Sequence, residues 1–368
     1  MSSSLGLRLM EALLNLFFCV VLTYGVLYAS YRYGVPNLGA TRDFFEYEKM
    51  IEKPLDFDVV EAPFVIRQLP VLVARGVLET GLYYPTSVTF SYFDRFDGEG
   101  TQRRFFSLIV SNYLAVVLAL WLGLQEIGRR IPPARSTEAK LAFLMLSTGY
   151  FYFTVNVVAP MTEGYGWLGL TLFVIAGLHR SVGIVLLACL VVLFSRETAL
   201  IFMGPFALVI AVATRTTAED RRFWVKAASA ATVALLSYLW IRTTWIEGNP
   251  AQVTLGAYTD HLGRSRLVGD FLFPALVAQA DLLLILGLLA FRDRMTALAA
   301  VAGVVTLFAV GTTVGLMSNL GRVLGEPVPA LALLAILGSI TLPGANPDGV
   351  GAGERNDAQP LRKSPRGM

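Results

Sequence analysis

The sequence predicts an all-α, polytopic transmembrane helical bundle of about ten spans, and three observations carry that expectation. The chain has 368 residues, 55% hydrophobic and only 15% charged, where an ordinary soluble domain has about 25% charged. So little charge cannot cover a soluble surface of this size. The apolar residues also gather in runs approaching the roughly 20 residues that a spanning helix needs. None alternates like a barrel strand, and hydrocarbon offers no water to pair an open backbone, so the runs are expected to be helices. Finally, the basic residues sit in short clusters between the runs, where topology signals lie. The mean hydropathy of +0.60 agrees. A net charge of +3 is too mild for a nucleic-acid surface, so no nucleic acid is expected as a partner.

The first run begins near Ala12. It is longer than a signal-peptide core of roughly 7–15 residues, and no small-x-small cleavage site precedes Tyr31-Arg32-Tyr33, so it reads as a retained first span. Further runs start near Phe105, Leu141, Tyr165, Ser181, Thr198, Ala227, Phe271, Met295 and Pro327. The runs from Tyr165 and Ser181 are short and separated only by His179-Arg180, as in a tight helical hairpin. Basic connections follow at Gly128 to Lys140, His179-Arg180, Arg215 to Lys226 and Arg292 to Arg294. With about ten spans and an inside N-terminus, all of these fall on the cytoplasmic face, as do Arg355, Arg362, Lys363 and Arg366. The expectation is a multi-pass protein of the plasma (inner) membrane with both termini cytoplasmic. Residues 1–343 form the transmembrane domain, including an external loop over 31–104. Residues 344–368, rich in Gly, Pro, Asp and Arg, read as a disordered cytoplasmic tail.

The outward segments are the informative ones. Residues 31–104 are too many for a plain loop, and helical apolar spacing recurs in Asp43 to Ile51 and Pro63 to Leu78. Both are expected as amphipathic helices, the second with Arg67 among apolar residues, as in a helix lying in the membrane interface. Tyr83, Tyr84, Tyr92 and Phe93 would supply an aromatic belt. Other outward connections hold Met161 to Tyr165, Ser195 to Glu197, Trp245 to Asp270 and Ser318 to Glu326. No internal repeat is visible in the sequence, which weighs against an inverted-repeat transporter.

Asp43, Glu163, Arg196, Glu197, His261 and Arg322 all fall in or beside these outward connections. Singly, each reads as a solvated helix end. Together, on a face kept poor in Lys and Arg, they point to a shared site. Asp43 lies among Phe44, Phe45 and Tyr47, where desolvation would raise a carboxylate toward proton-transfer values; the same residue could instead cap a helix running to Lys49. Asp281, inside the apolar run Pro274 to Ala290, reads equally as functional or as an interhelical pair. Asn15, Asn112 and Asn156 are expected to make interhelical hydrogen bonds. Cys19 and Cys189 lie in apolar runs without metal-ligand spacing, as small buried hydrophobes. His179 and His261, the only two histidines, leave a zinc site or a Ser/His hydrolase few candidates.

Four features resemble the GT-C superfamily of polytopic glycosyltransferases. They are Asp43 within Arg42-Asp43-Phe44-Phe45-Glu46-Tyr47 early in the long external loop, the segment Ala62-Pro63-Phe64-Val65-Ile66-Arg67-Gln68-Leu69-Pro70, Ser195-Arg196-Glu197-Thr198 opening a span, and Gly321-Arg322-Val323-Leu324-Gly325-Glu326-Pro327 before the last one. The resemblance implies inverting transfer of a sugar from a polyprenyl-phosphate donor to a glycan, lipid or protein acceptor, on the outer (periplasmic) face of a bacterial membrane. It implies Asp43 as the base, with Glu163 supporting it or the acceptor. Arg196, Arg322 and Arg67 would hold the lipid phosphate, with Glu197 orienting Arg196 and His261 a further phosphate contact. A divalent cation, magnesium or manganese, is compatible with the resemblance, and no ligand for it is assigned. The competing readings are a lipid or small-anion transporter or flippase, a glycan polymerase or ligase, and a non-catalytic membrane assembly factor.

Overall fold

A computed structural model describes residues 2–33, 41–60, 64–81, 99–148, 162–213, 218–244 and 325–340. Every regular element among them is helical. In chain order the α-helices are α1 (Ser2–Tyr33), α2 (Thr41–Glu52), α3 (Gln68–Thr80), α4 (Glu99–Arg130), α5 (Pro133–Thr148), α6 (Glu163–His179), α7 (Val182–Leu193), α8 (Leu200–Ala213), α9 (Ala218–Thr244) and α10 (Val328–Ile340). Short 3-10 turns at Phe64–Ile66 and Glu197–Ala199 precede α3 and α8. Eight of the apolar runs thus coincide with helices, while those starting at Phe271 and Met295 lie outside the described residues.

Length decides which helices can cross hydrocarbon. Among the described residues, α4 and the stretch Arg221–Ile241 of α9 are long and apolar enough to do so. The apolar stretches Leu9–Tyr24, Val182–Leu193 and Val328–Leu337 are shorter. At 1.5 Å per residue, the 12 residues of α7 rise only about 18 Å, against a hydrocarbon core of about 30 Å.

The centre of the fold is α4, which packs against α1, α3, α5, α6 and α10. Its buried residues run from Thr101 to Ile127. Along one side, Tyr113 donates to the Val20 carbonyl (3.0 Å) and Trp121 Nε1 to the Ala12 carbonyl (2.9 Å), fixing α1 against it. The hairpin expected at His179-Arg180 is present. Arg180 takes the left-handed conformation (φ 53°) and its N–H caps α6 on the Ala176 and Gly177 carbonyls. Ser181 then opens α7 by accepting the Ile184 N–H. The two helices close tightly because Gly169 has no side chain: a Cβ there would lie 2.2 Å from Val192 Cγ2.

The two ends of the bundle differ in chemistry. At one end, buried Glu126 on α4 meets Arg130 and His179 Nε2 (2.9 Å), and Lys140 pairs with Glu11 at 2.6 Å. Arg130 also donates to the Leu178 carbonyl. At the other end, α2 and α3 pack on the N-terminal part of α4. Phe44, Tyr47, Met50 and Ile51 form the buried face of α2, a helical spacing, and Phe44 meets Phe105 edge-on at 5.0 Å. Arg104 pairs with Glu48 at 2.8 Å and Glu52 at 3.1 Å. The amphipathic helices expected in the 31–104 segment are therefore α2 and α3. Arg67, however, is only 6% exposed: it faces the protein and not an interface. The residues Tyr83, Tyr84, Tyr92 and Phe93 lie outside the described set.

Candidate functional site

Four segments far apart in sequence converge at the end capped by α2 and α3. The first is the 3-10 turn before α3, where the Arg67 N–H donates to the Phe64 carbonyl at 2.8 Å. It is tied to the second, the turn after α7, by the Leu69 N–H donating to the Phe194 carbonyl at 3.0 Å. In that turn the Arg196 N–H bonds the Val192 carbonyl at 2.7 Å and the Ala199 N–H bonds the Arg196 carbonyl at 2.9 Å, so Arg196 and Glu197 are held on a rigid corner. The third segment is the start of α6. Its Gly164 N–H, unsatisfied within the helix, donates to Asn112 Oδ1 on α4 at 2.7 Å. A Cβ on Gly164 would come within 2.4 Å of the Asn112 carbonyl oxygen, so only glycine permits this approach. The fourth is the entry to α10, fastened where Trp167 Nε1 donates to the Gly325 carbonyl at 3.0 Å.

These segments bring together two arginines and three glutamates. Arg67 binds Glu197 through two bonds, Nε to Oε2 at 3.0 Å and Nη2 to Oε1 at 2.6 Å. Its third nitrogen, Nη1, donates to the Tyr47 hydroxyl at 3.0 Å, and its guanidinium lies 5.4 Å from the Phe64 ring centroid. All three guanidinium nitrogens are engaged. Arg196 is held differently: Nε donates to Glu326 Oε1 at 2.7 Å, and Nη2 approaches Glu163 Oε1 at 3.4 Å. Those contacts use one nitrogen each and leave Nη1 out. Arg196, Glu163 and Glu326 are all buried.

Electrostatics keeps the network charged. Burial pushes the Glu197 carboxyl up, but the Arg67 guanidinium and then that of Arg196 pull harder, and the net direction is down. Burial likewise works against the charge on Arg67, yet Tyr47 and Glu197 hold it well above its ordinary value. For Arg196, Glu163 and Glu326 overcome burial in the same sense. In so dry a setting each charge depends on its partner.

Of the residues expected to act together, the structure joins Arg67, Glu163, Arg196 and Glu197. It corrects one pairing: Glu197 orients Arg67, while Arg196 is oriented by Glu326. The reason is the Leu69–Phe194 backbone bond, which sets Arg67 beside Glu197. Asp43 falls in the first turn of α2, whose first residue is Thr41, one helical turn before Tyr47 on the same face. His261, Asp281 and Arg322 lie outside the described residues. Two members had no assigned role in the sequence. Glu326 is a carboxylate at the mouth of an apolar run, a position that invites a partner. The hydroxyl of Tyr47 shows no signal beyond its i+4 relation to Asp43.

Comparison of the chain with protein-family models, curated proteins and solved structures found no match. Among the described residues, no group of three or more His, Cys, Asp or Glu side chains is arranged to hold a metal ion. Glu163 and Glu326 both face the Arg196 guanidinium, so these carboxylates do not fit a divalent cation in this arrangement.

Between α6, α8 and α9 lies an apolar cavity of about 440 Å³, lined by Phe173, Met203, Gly204, Ala207, Trp224 and Ala231 among others. Its lining includes Phe173, ten residues along α6 from Glu163, and no residue of the charged network.

Proposed function

We propose that the chain is a multi-pass membrane glycosyltransferase of the GT-C kind, with about ten spans, acting on a polyprenyl-phosphate sugar at the outer face. The observation that carries this reading is the buried Arg67–Glu197 and Arg196–Glu163–Glu326 network at one end of the bundle, opposite the end bearing Arg129, Arg130 and Lys140. The positive-inside rule makes that basic end cytoplasmic and the network external. Apolar faces of α1 (Leu13, Phe17, Val21) and α9 (Val225, Val233, Leu236, Trp240) are exposed, and lipid is the solvent that suits them.

The chemistry follows from the groups available. The acceptor hydroxyl attacks the anomeric carbon, and its proton passes to a carboxylate, Asp43, with Glu163 supporting the acceptor. The bond from that carbon to the phosphate oxygen breaks, and the electron pair stays on the departing polyprenyl phosphate. Arg196 stabilises the charge that develops there, since guanidinium matches phosphate geometry. Arg67, with a bond from each guanidinium nitrogen to Glu197 or Tyr47, is assigned as a positioning residue that fixes the 194–199 corner. Arg322 and His261 complete the proposed phosphate contacts. The apolar cavity beside α8 suits a lipid-tailed substrate. Among the described residues the buried charges sit at helix ends and not halfway along them, which favours surface chemistry over transport.

The test is sugar transfer in membranes supplied with polyprenyl-phosphate sugars. Arg196→Gln and Asp43→Asn should each lower transfer by about 10²–10⁴-fold, with expression and monodispersity retained. Full activity in Arg196→Gln defeats the reading; full activity in Asp43→Asn defeats the base assignment.

A further inference from the structure

We infer that the apolar cavity between α6, α8 and α9 binds an anionic phospholipid of the cytoplasmic leaflet, with one acyl chain in the cavity and the phosphate on Arg221 and Arg222 at its mouth. The inference rests on the membrane part of the reading above and not on the sugar chemistry. An apolar slot suits any lipid tail. Its place along the helices and the charges beside it decide which lipid.

The cavity arises where two helices part. α9 packs chiefly on α7 and α8 chiefly on α6, and the space of about 440 Å³ between them falls within the range of ligand sites. Its walls are Gly204, Ala207 and Ala211 on α8 and Trp224, Ala228 and Ala231 on α9. Each set recurs at helical spacing, so each helix turns one face to the cavity. Phe173 of α6, itself buried, lines it from within the bundle. Every described lining residue is apolar. Gly204 and Ala228 are exposed, so the cavity opens outward, where a spanning bundle meets lipid and not water.

The cavity reaches the basic end of the bundle. Ala211 lies two residues before the end of α8, and Trp224 lies in the second turn of α9. Trp224 also meets the last turn of α6, where a Cβ on Gly177 would come within 3.3 Å of its ring. Arg221 precedes Trp224 by one turn on the same side of α9, Arg222 follows it, and both are exposed. Arg180, also exposed, stands three residues beyond Gly177 at the same end. Over residues 215–226 the sequence sets Arg215, Arg221, Arg222 and Lys226 against Glu219 and Asp220, so the excess charge is positive. Guanidinium matches phosphate geometry, and basic groups beside a slot between helices retain anionic headgroups. A zwitterionic lipid brings its own ammonium group, which the same arginines repel.

The experiment is native mass spectrometry of the full chain in detergent, titrated with phosphatidylglycerol or with phosphatidylcholine of the same acyl chains. The wild type should bind one phosphatidylglycerol about tenfold more tightly than phosphatidylcholine. Arg221→Gln combined with Arg222→Gln should bring the two lipids to equal affinity. Ala228→Trp, which fills the cavity with the arginines intact, should weaken binding of both lipids. Gly204→Leu fills it from the opposite wall, where a Cβ meets open space, and serves if the tryptophan variant fails to fold. If phosphatidylglycerol depends on the arginines but binds both filled variants as it binds the wild type, the headgroup sits on a basic surface and the cavity site is overturned. Equal affinity of the wild type for the two lipids overturns the anionic assignment. Farnesyl phosphate displacing phosphatidylglycerol at lower concentration gives the cavity to the donor's tail instead. A wild type that holds no phospholipid, with filled variants that lose thermal stability, means that the chain's own residues cover the cavity, and the inference fails. A chain that stays monodisperse without detergent or lipid removes the membrane reading itself.

Discussion

Arg67 shows how much a single side chain can be asked to do at a protein end kept dry. Its guanidinium joins α2 through Tyr47 and the 194–199 corner through Glu197, so the cost of burying a charge is offset by three hydrogen bonds and a second charge. Removing one partner leaves the other buried and uncompensated. Glu197→Gln should cost about 3–5 kcal/mol of stability, read as a lower unfolding midpoint in detergent. The same pair predicts a pH dependence. Because the folded Glu197 carboxyl lies below its ordinary value, the unfolded chain takes up the proton first, near pH 4.3. The stabilisation is therefore complete above that pH and drains away as pH falls toward the folded value. Thermal midpoints between about pH 5 and about pH 3 should fall less steeply in Glu197→Gln than in the wild type; equal slopes would remove Glu197 from the acid response.

At the scale of elements, helix spacing is set by small residues where the site demands close approach. Gly169 lets α6 and α7 meet so that Arg196, three residues past the end of α7, can reach Glu163 at the start of α6. Gly169→Ala places a methyl 2.2 Å from Val192 Cγ2 and should destabilise by about 1–3 kcal/mol through overpacking. Val192→Ala in the same chain should restore most of that loss; failure of the rescue would mean that the α6–α7 approach is set elsewhere. The sequence made this hairpin legible, because two apolar runs were divided by His179-Arg180 alone. The break after α7 was legible too: the run from Ser181 is short, Ser195 to Glu197 reads as a connection, and the 12-residue helix ends at Leu193. What composition did not register is that Arg196 in this connection is buried and that the chain turns inside the protein.

For the whole molecule, the two ends make opposite predictions about access. A single cysteine at Thr137, exposed beside the start of α5, should react with impermeant reagent only from the cytoplasmic side. One at Thr80, exposed at the end of α3, should react only from outside, both after replacing buried Cys19 and Cys189. Labelling of both from one side would invert or abolish the proposed polarity. Much of that polarity could be read from the sequence by itself: the helical runs, the basic connections and the outward carboxylates all follow from the local alternation of solvent along the chain. It determined that Arg67, Glu163, Arg196 and Glu197 belong at one end. Which carboxylate meets which guanidinium was decided only by the tertiary structure. Arg67 and Glu197 are 130 positions apart, as are Arg196 and Glu326, and an exchange of partners would satisfy the same charges equally well. The choice falls to neutral contacts, the Leu69–Phe194 backbone bond and the Trp167–Gly325 bond, which hold the corners that carry the charged side chains. Solvent pattern fixes depth, and backbone geometry fixes partners.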